Sequence, residues 1–429
     1  MMQRFAVIAA AAVMALVSSA QAQTVLIRGA KVHTAGEQGT LEDHDILIRE
    51  GRIAALGPEL EAPEEATVLE AEGRPVTPGL IASYTHLGLV EISLDDESND
   101  TLPDPEFGLG AALDVQYAIN PGSTTIPNAR RDGLTRAVVA PAANTGLFAG
   151  RGAVITLDQR PESMTTPRVA LFAEVGARGA RLEGGTRAGS WTVLRESLQD
   201  AREYAANRAA YAQARERDQR LPLSDIEALV PVVNGETALV LGVNRAADIR
   251  EAIRLQSDFE DLRLILLGAR EGWRVAEELA ESGIPVIIDP SDNLPGNFES
   301  LGATLKNAAR LHEAGATFAI APVSGDETHR AGDQAQLAGI AVANGLPWEA
   351  ALEAVTRAPA AIWGQTDAGE IAVGRSADLV LWDGDPLEVT SNADAIFIRG
   401  RSMPMTSRQT ELRERYRNLK EGGLPFAYR

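Results

Sequence analysis

Pro78-Gly79-Leu80-Ile81-Ala82-Ser83-Tyr84-Thr85-His86-Leu87-Gly88 is the stretch on which the rest of the chain turns. Side chains alternate faces along a strand with a period of two, so Tyr84 and His86 share one face. Working outward, short apolar runs recur through the middle of the chain. They are Arg136-Ala137-Val138-Val139-Ala140, Leu239-Val240-Leu241, Leu264-Ile265-Leu266-Leu267, Pro285-Val286-Ile287-Ile288 and Phe318-Ala319-Ile320-Ala321. Amphipathic stretches lie between them, and helices are predicted over Ala246 to Gln256, Trp273 to Ser282 and Gly302 to Ala314. Strand, helix, strand repeated in this way implies a parallel sheet covered by helices. Over 77–368 the expected fold is α/β, a (β/α)8 TIM-like barrel.

The flanks have a different texture. Val25 to Val32 reads as a strand, and Asp45 to Ile48 with Arg52 to Gly57 as a hairpin around Glu50-Gly51. Gly369 to Trp382 and Ala395 to Gly400 look alike at the other end, so 23–76 and 369–405 are expected to form one small β-sandwich domain built from both termini. Leu194 to Arg220 reads as a long charge-rich helix, and 406–429 as a helical tail.

Residues 1–22 have the pattern of an export signal: Arg4, an apolar run from Phe5 to Val17, and Ala20-Gln21-Ala22 ahead of a cut before Gln23. The run is short against the roughly 20 residues of a membrane span. A periplasmic or secreted bacterial protein is therefore expected, with no membrane span after cleavage. A formal net charge of -20 argues against nucleic acid as the partner. With no cysteine, the chain has no disulfides.

The Pro78 stretch resembles the first metal-binding strand of the amidohydrolase superfamily, usually P-G-L-I-D-x-H-x-H. Asn120-Pro121-Gly122-Ser123-Thr124-Thr125-Ile126-Pro127, Arg245-Ala246-Ala247-Asp248-Ile249 and Ser376-Ala377-Asp378-Leu379-Val380-Leu381-Trp382 resemble the imidazolonepropionase-related branch. The resemblance implies a barrel with a flanking β-sandwich, and a hydrolase of non-peptide or cyclic C–N bonds. It also implies a divalent metal, zinc or similar, at the barrel mouth, with an Asp after the last strand moving protons. The matching positions depart from that pattern. Ala82 and Tyr84 replace the acidic residue and first histidine of strand one, Gly242 and Asn244 stand at the fifth-strand histidine positions, and Leu266-Leu267-Gly268-Ala269 has no imidazole. Val323 falls where the catalytic Asp is expected. Zinc-type catalytic sites take about three protein ligands, so the metal is expected to be absent or weakly held.

His86, Asp326 and His329, with Glu327, are the candidates for a rebuilt metal site, and Tyr84, Asn244 and Arg245 for substrate binding. His33 and His44 are expected on the surface, His312 in a structural helix. Gly146 to Gly152 reads as a flexible loop at the barrel mouth, lacking the Lys-Ser/Thr of a phosphate loop. Two functions stay open: a hydrolase with an altered site, and an inactive relative. The latter would bind a small molecule or pair, as homo- or hetero-dimer, with an intact amidohydrolase.

Overall fold

The computed structural model describes residues 24–102, 109–144, 146–212, 220–323 and 325–417. The export-signal segment lies outside them. The first strands are β1 (Val25–His33), β2 (Thr40–Arg49), β3 (Arg52–Gly57), β4 (Thr67–Glu70) and β5 (Pro75–Pro78). The middle supplies β6 (Leu80–Thr85), β7 (Leu134–Val139), β8 (Phe148–Thr156), β9 (Met164–Glu174), β10 (Ala238–Val243), β11 (Leu264–Gly268), β12 (Val286–Ile288) and β13 (Phe318–Ile320). The last are β14 (Leu379–Trp382), β15 (Ala393–Ile398) and β16 (Arg401–Ser402).

Both ends of the chain do share a sheet, in the order β16-β15-β14-β5-β1-β2-β3, with β4 on β1. Its apolar side is packed by Val25, Ile27, Ile46, Ile48, Leu379, Leu381 and Phe397. His33 is not on the surface: it is buried at the end of β1, its ring 4.6 Å from that of Trp348 and Nδ1 2.9 Å from Thr40 Oγ1.

The second sheet runs β6 through β13 in sequence order. Ala354 and Val355 seal it into a barrel. Ile320 N–H donates to the Ala354 carbonyl and Ile81 N–H to that of Val355, both at 2.9 Å. Residues alternate as the period of two requires. Val138, Phe172, Val240, Ile265, Leu267, Ile287 and Ala319 fill the interior together with Tyr84 and Trp363. Leu239, Leu241, Leu264, Leu266, Val286 and Ile320 face outward and pack with helix residues such as Ile249, Leu255, Leu279 and Leu311.

One strand departs from eight β/α units. β8 is antiparallel to both β7 and β9. The links 140–147 and 157–163 are too short for the dozen or so residues that a parallel crossover needs, so they make hairpins. Gly146 to Gly152 is thus largely strand rather than a flexible loop. The long helix spans Arg187–Ala212, with non-helical backbone at Asn207, and a charged helix covers Arg408–Arg417. Arg136 of β7 joins the barrel to the other sheet through Asp378 (2.8 Å) and Asp367 (2.9 Å). No described helix is long and apolar enough to cross a membrane.

Candidate active-site mouth

Every barrel strand except β8 runs the same way, so their C-terminal ends gather at one mouth, where barrel enzymes carry their chemistry. His86 follows β6 and is 8% exposed. Its Nδ1 lies 2.7 Å from the Ala140 carbonyl. A carbonyl only accepts, so Nδ1 carries the proton and Nε2 of the neutral ring is a bare acceptor. Burial holds the His86 pKa below its ordinary value, while the Ala140 bond and Asp326 pull the other way. Nε2 is 3.8 Å from Glu327 Oε2, beyond hydrogen-bond reach. Tyr84 is buried edge-on to His86, ring centres 5.5 Å apart. Burial, then the charges of Glu327 and Glu174, push its phenol pKa up.

Glu174 ends β9 directly opposite Gly242 of β10. A Cβ on Gly242 would lie 2.2 Å from Glu174 Oε2. The carboxyl therefore occupies the space that a fifth-strand side chain would fill. Burial raises the Glu174 pKa to about 7; Arg178 opposes the shift, and Glu299 and Glu327 reinforce it. Arg178 Nε is 3.7 Å from Oε1. Behind it, buried Glu299 accepts from Ala177 N–H at 2.8 Å and from Arg187 Nη2 at 3.0 Å.

The same exchange recurs one strand on. Gly268 has φ +97°, and a Cβ there would lie 2.6 Å from Asn244 Oδ1. That oxygen is buried and, among the described residues, has no hydrogen-bond partner. Asn244 thus leans over the end of β11. Arg245, a candidate for substrate binding, is instead held by Asp248, with Nε to Oδ2 at 2.8 Å and Nη2 to Oδ1 at 3.0 Å. Val323 packs against the barrel interior and offers no proton.

Of the candidate metal ligands, His86 and Glu327 face one another and the others do not join them. Asp326 accepts from Ser93 Oγ at 2.7 Å and from His329 N–H and Nδ1, each at 3.0 Å. Although partial burial opposes it, these bonds bring the Asp326 pKa down to about 2. The His329 side chain is about half exposed, paired with Asp326 at the edge of the mouth. Among the described residues, no group of three or more His, Asp or Glu side chains is placed to hold one ion. The donor set does not fit the divalent metal that the resemblance implies. Gly242, Gly268 and Val323 supply no ligand atoms, and Glu174 and Asn244 fill the space beside Gly242 and Gly268.

Sequence reasoning passed over Glu174 and Arg178. The signal was present in Val169-Ala170-Leu171-Phe172-Ala173-Glu174, an apolar strand with a carboxylate at its C-terminal end.

With this geometry in place, comparison with known proteins is informative. Residues 244–401 match the model of the Amidohydrolase family. The imidazolonepropionase of Acidiphilium cryptum is 28% identical over 381 residues, covering 82% of this chain and 89% of that one. The amidohydrolase tasK of Hapsidospora irregularis is 25% identical over 391 residues, covering 83% of this chain. The match spans only 39% of tasK. In fold, an amidohydrolase from Thermotoga maritima superposes with a TM-score of 0.79 at 23% identity, over 89% of this chain and 99% of its own. Together these matches support the amidohydrolase superfamily, a class of barrel hydrolases.

Proposed function

We propose that this is an exported amidohydrolase-fold protein whose barrel mouth binds a small molecule without the metal-assisted hydrolysis of its relatives. One observation carries the reading: the Glu174 carboxyl lies where a fifth-strand ligand would project, over a glycine that leaves it room. Losing one ligand alone would strand its buried partners without bonds, at a cost of a few kcal/mol. Here polar side chains and glycines sit as fitted pairs, Glu174 with Gly242 and Asn244 with Gly268. Such pairing is what a pocket adapted to other contents would show.

A second reading, retained hydrolysis of a non-peptide or cyclic C–N bond, is favoured by the His86–Glu327 approach, an imidazole and a carboxyl 3.8 Å apart at the mouth.

Elemental analysis of the purified protein, before and after incubation with zinc and manganese, tests the main reading. It is run beside hydrolysis assays on imidazolonepropionate and dihydroorotate. Metal-free, inert and folded protein is expected. Stoichiometric metal that disappears in His86→Ala, together with turnover, would overturn it. Recovery of a periplasmic chain beginning at Gln23 by mass spectrometry tests export.

A further inference from the structure

The contents of the mouth also say what kind of molecule it would hold. We propose that it takes a small organic cation rich in N–H groups, an amine or a guanidine; the proposal rests on the binding reading above. The atoms that converge there are overwhelmingly acceptors. His86, more than nine-tenths buried, presents Nε2 with its lone pair free, because Nδ1 is committed to the Ala140 carbonyl. Asn244 Oδ1 is buried with no partner among the described residues. The nearest cationic atom to the Glu174 carboxyl is Arg178 Nε at 3.7 Å, and Glu327 Oε2 lies 3.8 Å from His86 Nε2.

Donors are few. Arg178 spends Nη2 on the Ala143 carbonyl at 3.1 Å, and Tyr84 adds one hydroxyl. Glu174 and Glu327 also feel Arg181 and Arg330, but Arg330 is paired with Asp289 at 3.5 Å and Asp333 at 3.0 Å, and Glu299 and Asp326 add negative charge, so the mouth stays acidic. An anionic ligand would meet like charge, and a neutral acceptor would leave Asn244 and His86 unmatched. A ligand bearing several N–H donors and a positive charge satisfies all of these groups through charge-assisted bonds. A formal charge of -20 on the whole chain draws such a ligand in from solution.

Isothermal titration of the full mature protein with agmatine and with putrescine, against glutarate as the anionic control, tests the proposal. Saturable binding of at least one amine is expected, none of glutarate, and a loss of about tenfold or more in Glu174→Gln, the scale of one charge-assisted bond. Glu327→Gln provides the second variant should Glu174→Gln misfold, and circular dichroism confirms the fold of both. Failure of both amines to bind, preference for glutarate, or binding undiminished in both variants would overturn the proposal. Metal-loaded protein that still takes agmatine would overturn the earlier reading and leave this one standing. Metal-free protein that ignores both amines would do the reverse.

Discussion

The two ends of the barrel treat buried charge in opposite ways. At the end that meets the other sheet, Arg136 is pinned at Nε by Asp378 and at Nη1 by Asp367 and by Gln365 Oε1 at 3.1 Å, with Nη2 alone lacking a partner among the described residues, and Asp378 itself accepts from Ser376 and from the Arg399 N–H. At the mouth, the part-buried Glu174 carboxyl is held by an ion pair with Arg178 at 3.7 Å, and Asn244 Oδ1 is buried with no partner among the described residues. Burying a polar group without a partner costs free energy, whereas a paired one is close to neutral. The joint between the sheets is built for stability. The mouth gives some of that stability up, as sites with a binding role do.

The contrast is broken most strongly by Arg136→Ala, which leaves Asp378 buried without its partner. A loss of about 3–5 kcal/mol is expected in urea unfolding, the usual cost of halving a buried pair. Next comes Glu174. Its folded pKa of about 7 exceeds the ordinary 4.5, so the folded state binds more protons in this window. Stability therefore falls as pH rises from about 4.5 to about 7, and stays low above that. Glu174→Gln removes the ionisation cost and should stabilise by about 3 kcal/mol at pH 8, at about 1.4 kcal/mol per pKa unit. It should leave stability at pH 4.5 nearly unchanged, and thermal melts at the two pH values decide it.

Gly242→Ala sharpens the comparison from the other strand. Its new methyl collides with the Glu174 carboxyl, and a loss of about 1–3 kcal/mol is expected. The loss should largely vanish in a Glu174→Ala background, a coupling that a double-mutant cycle measures. The smallest effect belongs to His329→Ala at the solvated edge. It should change stability by no more than about 0.5 kcal/mol and leave the metal content as it was.

How far all this was legible depended on which signal each element carried. Leu264 to Leu267 and Leu239 to Leu241 announce buried strands because both their faces are apolar. β8 was hidden by its glycines, which loops also favour. In the structure they serve packing: a Cβ on Gly152 would lie 2.6 Å from the Phe172 ring, and one on Gly150, where φ is +123°, would lie 2.7 Å from Leu113 Cβ. Gly242, Gly268 and Val323 could be singled out because a family spacing marks their positions. The carboxyl that stands against Gly242 could not, since no spacing ties Glu174 to it, 68 positions away on another strand. Asp326 and His329 share a strand-end turn, and a pair three apart on such a turn satisfies itself locally before it can reach across to His86.

The antiparallel strand has a consequence for how the molecule assembles. β7, β8 and β9 are joined by tight reversals, so their contacts close small loops and form at little entropic expense. The seam between Ile81 and Val355 joins residues far apart in the chain and must await nearly everything between them. Synthesis from the N-terminus would thus leave a curved, open trough until the segment carrying Ala354 emerges, and a ribosome-bound chain halted before that point should be digested far faster than one released.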